Sequence, residues 1–117
     1  MRASQLLEAV AADLRNEGLR AEVDPQKLNP PCVWVALTNM QVDRLDGTAE
    51  ATLQLTFVAP DHGTVSALDE LTIMVAAAVD AVDLIGEIET IAVSLPNQGN
   101  TPLPALRTEI SGLEIEL

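Results

Sequence analysis

The sequence is poor in the side chains that most enzymes use for catalysis. It contains one histidine (His62), one cysteine (Cys32), one lysine (Lys27) and no tyrosine in 117 residues. General acid–base and covalent catalysis rely mainly on these residue types and on paired carboxylates. Zinc needs three or four ligands, and His62 has no second histidine beside it. We therefore expect no catalytic residue, no metal site and no cofactor, and a protein that works through its shape and its surfaces.

Aromatic residues and long apolar runs are also scarce. The aromatic fraction is 2%, from Trp34 and Phe57, whereas the apolar fraction is 48%, so Leu, Val, Ile and Ala must build the core. No apolar run approaches the ~18 residues of a membrane-spanning helix, and the first five residues lack the apolar core of a signal peptide. A single cysteine forms no internal disulfide, which is typical of a reducing compartment. We expect a soluble protein made in the cytoplasm, with Cys32 buried.

Basic residues are almost missing from the second part of the chain. The formal net charge is −12. Residues 1–44 hold six acids and five bases, whereas residues 45–117 hold twelve acids and only Arg107 as a base. Proteins that bind along nucleic acids need a basic stripe, so this distribution excludes that class. It fits either a surface that repels DNA or docks a basic partner, or a solvated acidic face.

The pattern of apolar residues predicts one α+β domain over residues 1–117. Helical spacing indicates helices over 4–17 and 66–82, and alternation indicates strands over 19–23, 32–42, 48–59, 91–95 and 106–117. Asp46-Gly47 predicts a hairpin turn. Shifts in the apolar phase predict bulges near Thr38-Asn39 and at Gly112. We expect an antiparallel sheet of four to five strands with two helices packed on one face, the other face being wet.

The second helix supplies half of the predicted core. Ser66 has the spacing of a helix cap. The helix should bury an apolar stripe against Leu53, Leu55 and Phe57 of the longest strand. This stripe comprises Leu68, Leu71, Val75, Ala78, Val79 and Val82.

The order of these elements resembles a known family. A short amphipathic helix leads into Asn29-Pro30-Pro31 and the apolar strand Cys32-Val33-Trp34-Val35. A hairpin with a long alternating second strand follows, then a helix with Ala67-Leu68-Asp69-Glu70-Leu71 in its first turns, and two closing strands. This arrangement resembles the tail terminator proteins of long-tailed bacteriophages, especially those that infect actinobacteria, over nearly the whole chain.

The resemblance implies a structural virion protein in the neck region of the phage tail, assembled in the host cytoplasm. Such proteins form a homo-oligomeric ring, usually a hexamer, at the head-proximal end of the tail tube. The ring stops tube polymerisation and offers a docking surface to the head–tail connector protein. Its partners would be the tail-tube protein, the connector and the genomic DNA as passing cargo, and it needs no membrane. The alternatives are a connector stopper, a tail-tube subunit, or a small ligand-binding or enzymatic α+β domain.

Two sets of residues are candidates for surface functions. Acids that could line the lumen of a ring or form an interface are Glu50, Asp80, Asp83, Glu87 and Glu89. Their spacing does not match a calcium-binding loop, and the alternative is a solvated acidic edge. The apolar residues of the last strand, Leu113, Ile115 and Leu117, could join a neighbouring subunit by strand addition. Alternatively, this is a simple edge strand whose glutamates discourage pairing.

Overall fold

The fold is a five-stranded sheet combined with two helices. A computed structural model describes residues 2–43, 47–60, 64–82, 87–94 and 102–116. The elements in these ranges are α1 (Ala3–Asn16), β1 (Ala21–Glu22), a 3-10 turn (Pro25–Lys27), β2 (Cys32–Asp43), β3 (Thr48–Val58), α2 (Thr64–Ala81), β4 (Glu89–Val93) and β5 (Leu103–Glu116). The strands lie in the order β1-β2-β3-β5-β4. The predicted α+β class is confirmed.

The sheet is mixed, so the expectation of a wholly antiparallel sheet is wrong at one edge. β1 runs parallel to β2 and pairs Ala21 with Val33 and Glu22 with Trp34. The other neighbouring strands are antiparallel. β1 is only two residues long. A parallel pair requires the chain to return to the end of the sheet at which β1 began. Because β1 is so short, the loop of residues 23–31 is long enough for this return.

The end of α1 follows the glycine signal in the sequence. Gly18 has a positive φ of 87°, a conformation that glycine adopts without the steric cost of a Cβ atom. The Gly18 N–H donates to the Arg15 carbonyl at 3.0 Å and the Leu19 N–H donates to the Leu14 carbonyl at 3.2 Å. These two bonds form a Schellman cap. The helix begins at Ala3, one residue before the predicted start.

Both predicted bulges are present. The register of β2 against β3 shifts between Leu37 and Asn39. That of β5 against β3 shifts where Ala51 pairs with Leu113 and Leu53 with Ile110. Gly112 lies in this second shift with a φ of 77°. Each bulge changes the side-chain alternation once, so the apolar residues on both sides of it stay on one face of the sheet.

The main hydrophobic cluster joins this face of the sheet, here called the core face, to both helices. Leu53, Leu55 and Phe57 are fully buried, as predicted. The buried residues of α2 are Ala67, Leu71, Met74 and Ala78, and those of α1 are Leu6, Val10, Ala11 and Leu14.

The predicted boundary and stripe of α2 need correction. Leu68 and Val79 are 40% and 54% exposed, so their assignment to the buried stripe is wrong. The helix starts at Thr64 rather than at Ser66. The rest of the predicted stripe packs in the main cluster, with Leu71 and Ala78 buried and Val75 and Val82 partly buried. Because α2 is apolar around most of its circumference, periodicity made the stripe too wide.

A second, smaller cluster lies on the opposite face of the sheet, here called the outer face. It contains Leu28, Cys32, Val58, Leu103 and Ala105, with Trp34, Ile91 and Val93 packed against it. Leu28 comes from the proline-rich loop, where the peptide bond between Pro30 and Pro31 is cis. The expectation that this face is wet is therefore wrong at the end of the sheet where β2 begins.

Candidate interaction surfaces

Two strand edges are open at one end of the sheet. β1 covers β2 only at Val33 and Trp34, and β4 covers β5 only from Leu103 to Arg107. Within the described ranges, no strand pairs with the outer edge of β2 after Trp34 or with that of β5 after Arg107. Unpaired N–H and C=O groups of this kind are ready to pair with another strand. The two open edges lie on opposite sides of the same three-stranded segment, β2-β3-β5.

The outer face of this segment is polar and acidic. Glu50 of β3 lies between Gln41 of β2 and Glu114 of β5 in the strand register. Glu50, Glu109 and Glu114 are all exposed. Like charges on directly opposed residues of neighbouring strands, as at Glu50 and Glu114, oppose pairing. The acidic side chains of this area therefore do not favour the β3–β5 pairing at this point.

The structure distributes the other predicted acids over different surfaces. Asp80 is exposed at the C-terminal end of α2. Glu89 forms an ion pair with Arg107, the residue opposite it on β5. The carbonyl of Glu87 accepts a hydrogen bond from Thr108 Oγ1 at 3.3 Å. Asp83 lies outside the described residues, and so does His62. Glu50 lies on the outer face of the sheet, whereas Asp80 lies on α2. The five acids therefore do not form one site.

The predicted interface strand divides in a similar way. Ile115 is 2% exposed and belongs to the main cluster, so its side chain serves the fold of its own chain. Leu113 is partly buried against that cluster and lines a groove. Leu117 lies outside the described residues. What β5 offers to a neighbour is therefore its backbone edge and Leu113.

This groove, here called the acidic groove, lies between α1, the end of α2 and the bulge of β5. It has a volume of about 590 Å³. Its apolar lining includes Leu6, Val10, Val79, Ile110 and Leu113, and its carboxylates are Asp13 and Asp80. Glu109 also lines it, but the strand register pairs Glu109 with Gln54 and directs its side chain to the outer face. No Lys, Arg or His is among the described residues that line it. Sequence analysis missed the groove because its residues come from three elements that lie far apart in the chain.

Large apolar side chains are also exposed on β2, on α2 and at Ile88 before β4. On β2, Met40 and Val42 are 45% and 56% exposed. On α2, the exposed apolar residues are Val65, Leu68, Ile73 and Val79. The sequence carried a signal for α2, because its apolar residues spread beyond one face. An isolated exposed apolar residue is ordinary, whereas several on one element point to a contact surface.

The single cysteine has the properties of a buried structural residue. Removal from water raises the pKa of the Cys32 thiol to about 11. Such a thiol is a poor nucleophile, because the reactive species is the thiolate. No group of three or more His, Cys, Asp or Glu residues within the described ranges is arranged to hold a metal ion. None of the helices in those ranges is long and apolar enough to cross a membrane.

Comparison with known proteins adds no family assignment. The chain matches no protein-family model, and a search of curated proteins found no significant relative.

Proposed function

We propose that this protein is a structural subunit that assembles head to tail into a closed ring, and that the ring is the tail terminator of a long-tailed bacteriophage. The observation that carries the proposal is the pair of open strand edges on β2 and β5. They lie on opposite sides of one sheet segment, and within the described ranges no strand pairs with either of them. Two different surfaces that fit each other generate rings when the rotation closes.

The strand directions are compatible with such an assembly. β2 and β5 are both antiparallel to β3, so they run in the same direction. When β5 of one copy lies beside β2 of the next, the two form a parallel pair, and all copies keep one orientation along the ring axis.

A two-fold dimer through β5 is disfavoured by charge. It would place a strand that carries Glu109, Glu114 and Glu116 beside its own copy. Like charges facing each other across strands destabilise the pair. The β2 side belongs to the near-neutral part of the chain, residues 1–44, and meets β5 with less repulsion. Charge therefore favours head-to-tail contact over a symmetric dimer.

The resemblance in sequence organisation supports the terminator role within this class. In a ring built from a continued sheet, one sheet face lines the lumen. None of the described helices lies on the outer face at the acidic end, so this face leaves more room for passage than the core face. Glu50, Glu109 and Glu114 would then face DNA in transit and repel its phosphates. The role requires no catalysis; it places the protein in the virion neck, with the tail-tube and connector proteins as neighbours.

The first test is the mass of the purified protein in solution, measured by light scattering and native mass spectrometry. We expect one discrete species of several 12.4 kDa subunits, six if the family resemblance holds. Electron microscopy should show rings without filaments. A monomer at concentrations of tens of micromolar would overturn the ring.

The second test concerns the role of the ring. In phage particles that contain this chain, labelled antibodies should bind at the junction of head and tail. Labelling along the whole tail would identify a tube subunit instead. Tails assembled without this chain should grow beyond their normal length, because a terminator stops polymerisation. Tails of normal length that fail to join heads would identify a connector stopper.

A further inference from the structure

The acidic groove and the exposed apolar residues of β2 are complementary surfaces. Both lie on the core face, at opposite edges of the β2-β3-β5 segment. We propose that the groove receives Met40 and Val42 of the next copy in the ring. This inference rests on the head-to-tail assembly proposed above and adds the side-chain contact that would fix it. The occupant is a second copy of this chain, entering with the end of its β2 strand.

The position of the groove supports this contact. Five consecutive residues of β5, Glu109 to Leu113, line it, whereas no described residue of β2 or β3 does. The groove therefore lies beside β5, whose edge away from β3 is open after Arg107. Neighbouring strands in a sheet are about 4.8 Å apart. A strand added to β5 would run directly along the groove.

The side-chain directions agree with this position. Met40 pairs with Ala51 and Val42 with Ala49, and both alanines belong to the main cluster. Met40 and Val42 therefore point to the core face. Ile110 and Leu113 of β5 pair with Leu53 and Ala51 and point the same way. When the sheet continues from β5 into β2 of the next copy, all four side chains lie on one face.

The chemistry of the two surfaces also fits. Met40 and Val42 are about half exposed in the single chain, and the groove offers apolar partners at Leu6, Val10 and Val79. Burying apolar area in this way favours association. The carboxylates of Asp13 and Asp80 on the groove then select against an acidic side chain at the entering positions. A basic side chain there would be attracted.

The test compares two substitutions of opposite charge at one exposed position, Val42. Val42→Asp and Val42→Lys both remove the same apolar side chain, and they differ in the sign of the charge that they bring to the groove. We expect Val42→Asp to raise the dissociation constant of the ring by about tenfold or more, because like charges in contact cost several kcal/mol. Val42→Lys should stay within about threefold of the original protein on the same electrostatic grounds. Dilution followed by mass photometry measures both.

Two controls test whether the effect depends on the charge of the groove and on the position of the substitution. Asp80→Lys reverses one groove charge and leaves Asp13 opposed by the new lysine, so in its presence the preference for Val42→Lys over Val42→Asp should shrink. The same Asp and Lys pair at Ile88, which is 41% exposed before β4, should not discriminate between the two charges. Thermal unfolding of the diluted subunits checks that each variant folds.

The outcomes separate this inference from the ring itself. If the original protein assembles and the two Val42 variants weaken the ring equally, the groove does not receive β2 and this inference is overturned, while the ring stands. If the original protein stays monomeric, the ring fails first. A preference for Asp over Lys at position 42 in the unmodified groove would contradict the proposed contact directly.

Discussion

At the scale of single residues, Phe57 is the anchor of the main cluster. It is fully buried on β3 and is the largest of the fully buried side chains. Phe57→Ala should lower the free energy of unfolding by about 3–5 kcal/mol, because it removes a buried aromatic ring and leaves a cavity. Denaturant titration measures the change. Val65→Ala, at a site 75% exposed, is the matched control and should change stability by less than about 0.5 kcal/mol. Equal losses would contradict the assignment of the core.

Cys32 gives a second residue-level prediction, on pH. The pKa of its thiol rises from 9.0 to about 11 on folding, so between these values the unfolded chain loses a proton that the native protein keeps. The free energy of unfolding should therefore fall as pH rises from 9 to about 11, and this contribution is constant below pH 9. Cys32→Ala should flatten that part of the stability profile. At pH 7.5, a thiol reagent should modify Cys32 slowly in the native protein and rapidly in denaturant.

At the scale of elements, the bulge at Gly112 controls which side chains of β5 face the core. Gly112→Ala introduces a Cβ atom at a φ of 77°. Among the described residues, nothing beyond the two chain neighbours lies within 4 Å of that atom, so we expect the cost to come from the backbone. We expect a loss of about 1–2 kcal/mol, the cost of a left-handed conformation for an L-residue. Ser111→Ala, next to it and exposed, should be nearly neutral in the same titration. A neutral Gly112→Ala would mean that the bulge does not need its glycine.

The elements also show how much of the fold could be predicted from the sequence alone. Apolar alternation identified β3, and its phase shifts located both bulges, because one extra residue leaves a local mark in a pattern of period two. The sequence predicted part of the buried side of α2, at Leu71 and Ala78, but not its limits. Val65, Leu68, Ile73 and Val79 look like core residues by composition, and only packing against the sheet shows that they are not. The parallel pairing of β1 and the acidic groove depend on contacts between distant segments, which local patterns do not contain.

At the scale of the whole molecule, Glu50, Glu109 and Glu114 lie on the outer face, whereas Asp13 and Asp80 lie at the groove. If the outer face lines a lumen, its charge controls adhesion of DNA. Replacing Glu50 and Glu114 with Lys should produce measurable DNA binding that weakens as salt rises, because phosphate contacts release counterions. A filter-binding titration measures this. The matched control is Asp69→Lys with Asp80→Lys, the same charge change on α2, which should bind DNA less. Equal binding by both variants would assign the acids to general solubility.

Trp34 provides an internal optical reporter. It is the single tryptophan, the chain has no tyrosine, and it packs on the smaller cluster of the outer face. Its fluorescence therefore follows that cluster, whereas far-ultraviolet circular dichroism is dominated by α1 and α2, whose buried residues belong to the main cluster. Coincident unfolding curves from the two signals would show that the layers on both sides of the sheet melt as one cooperative unit.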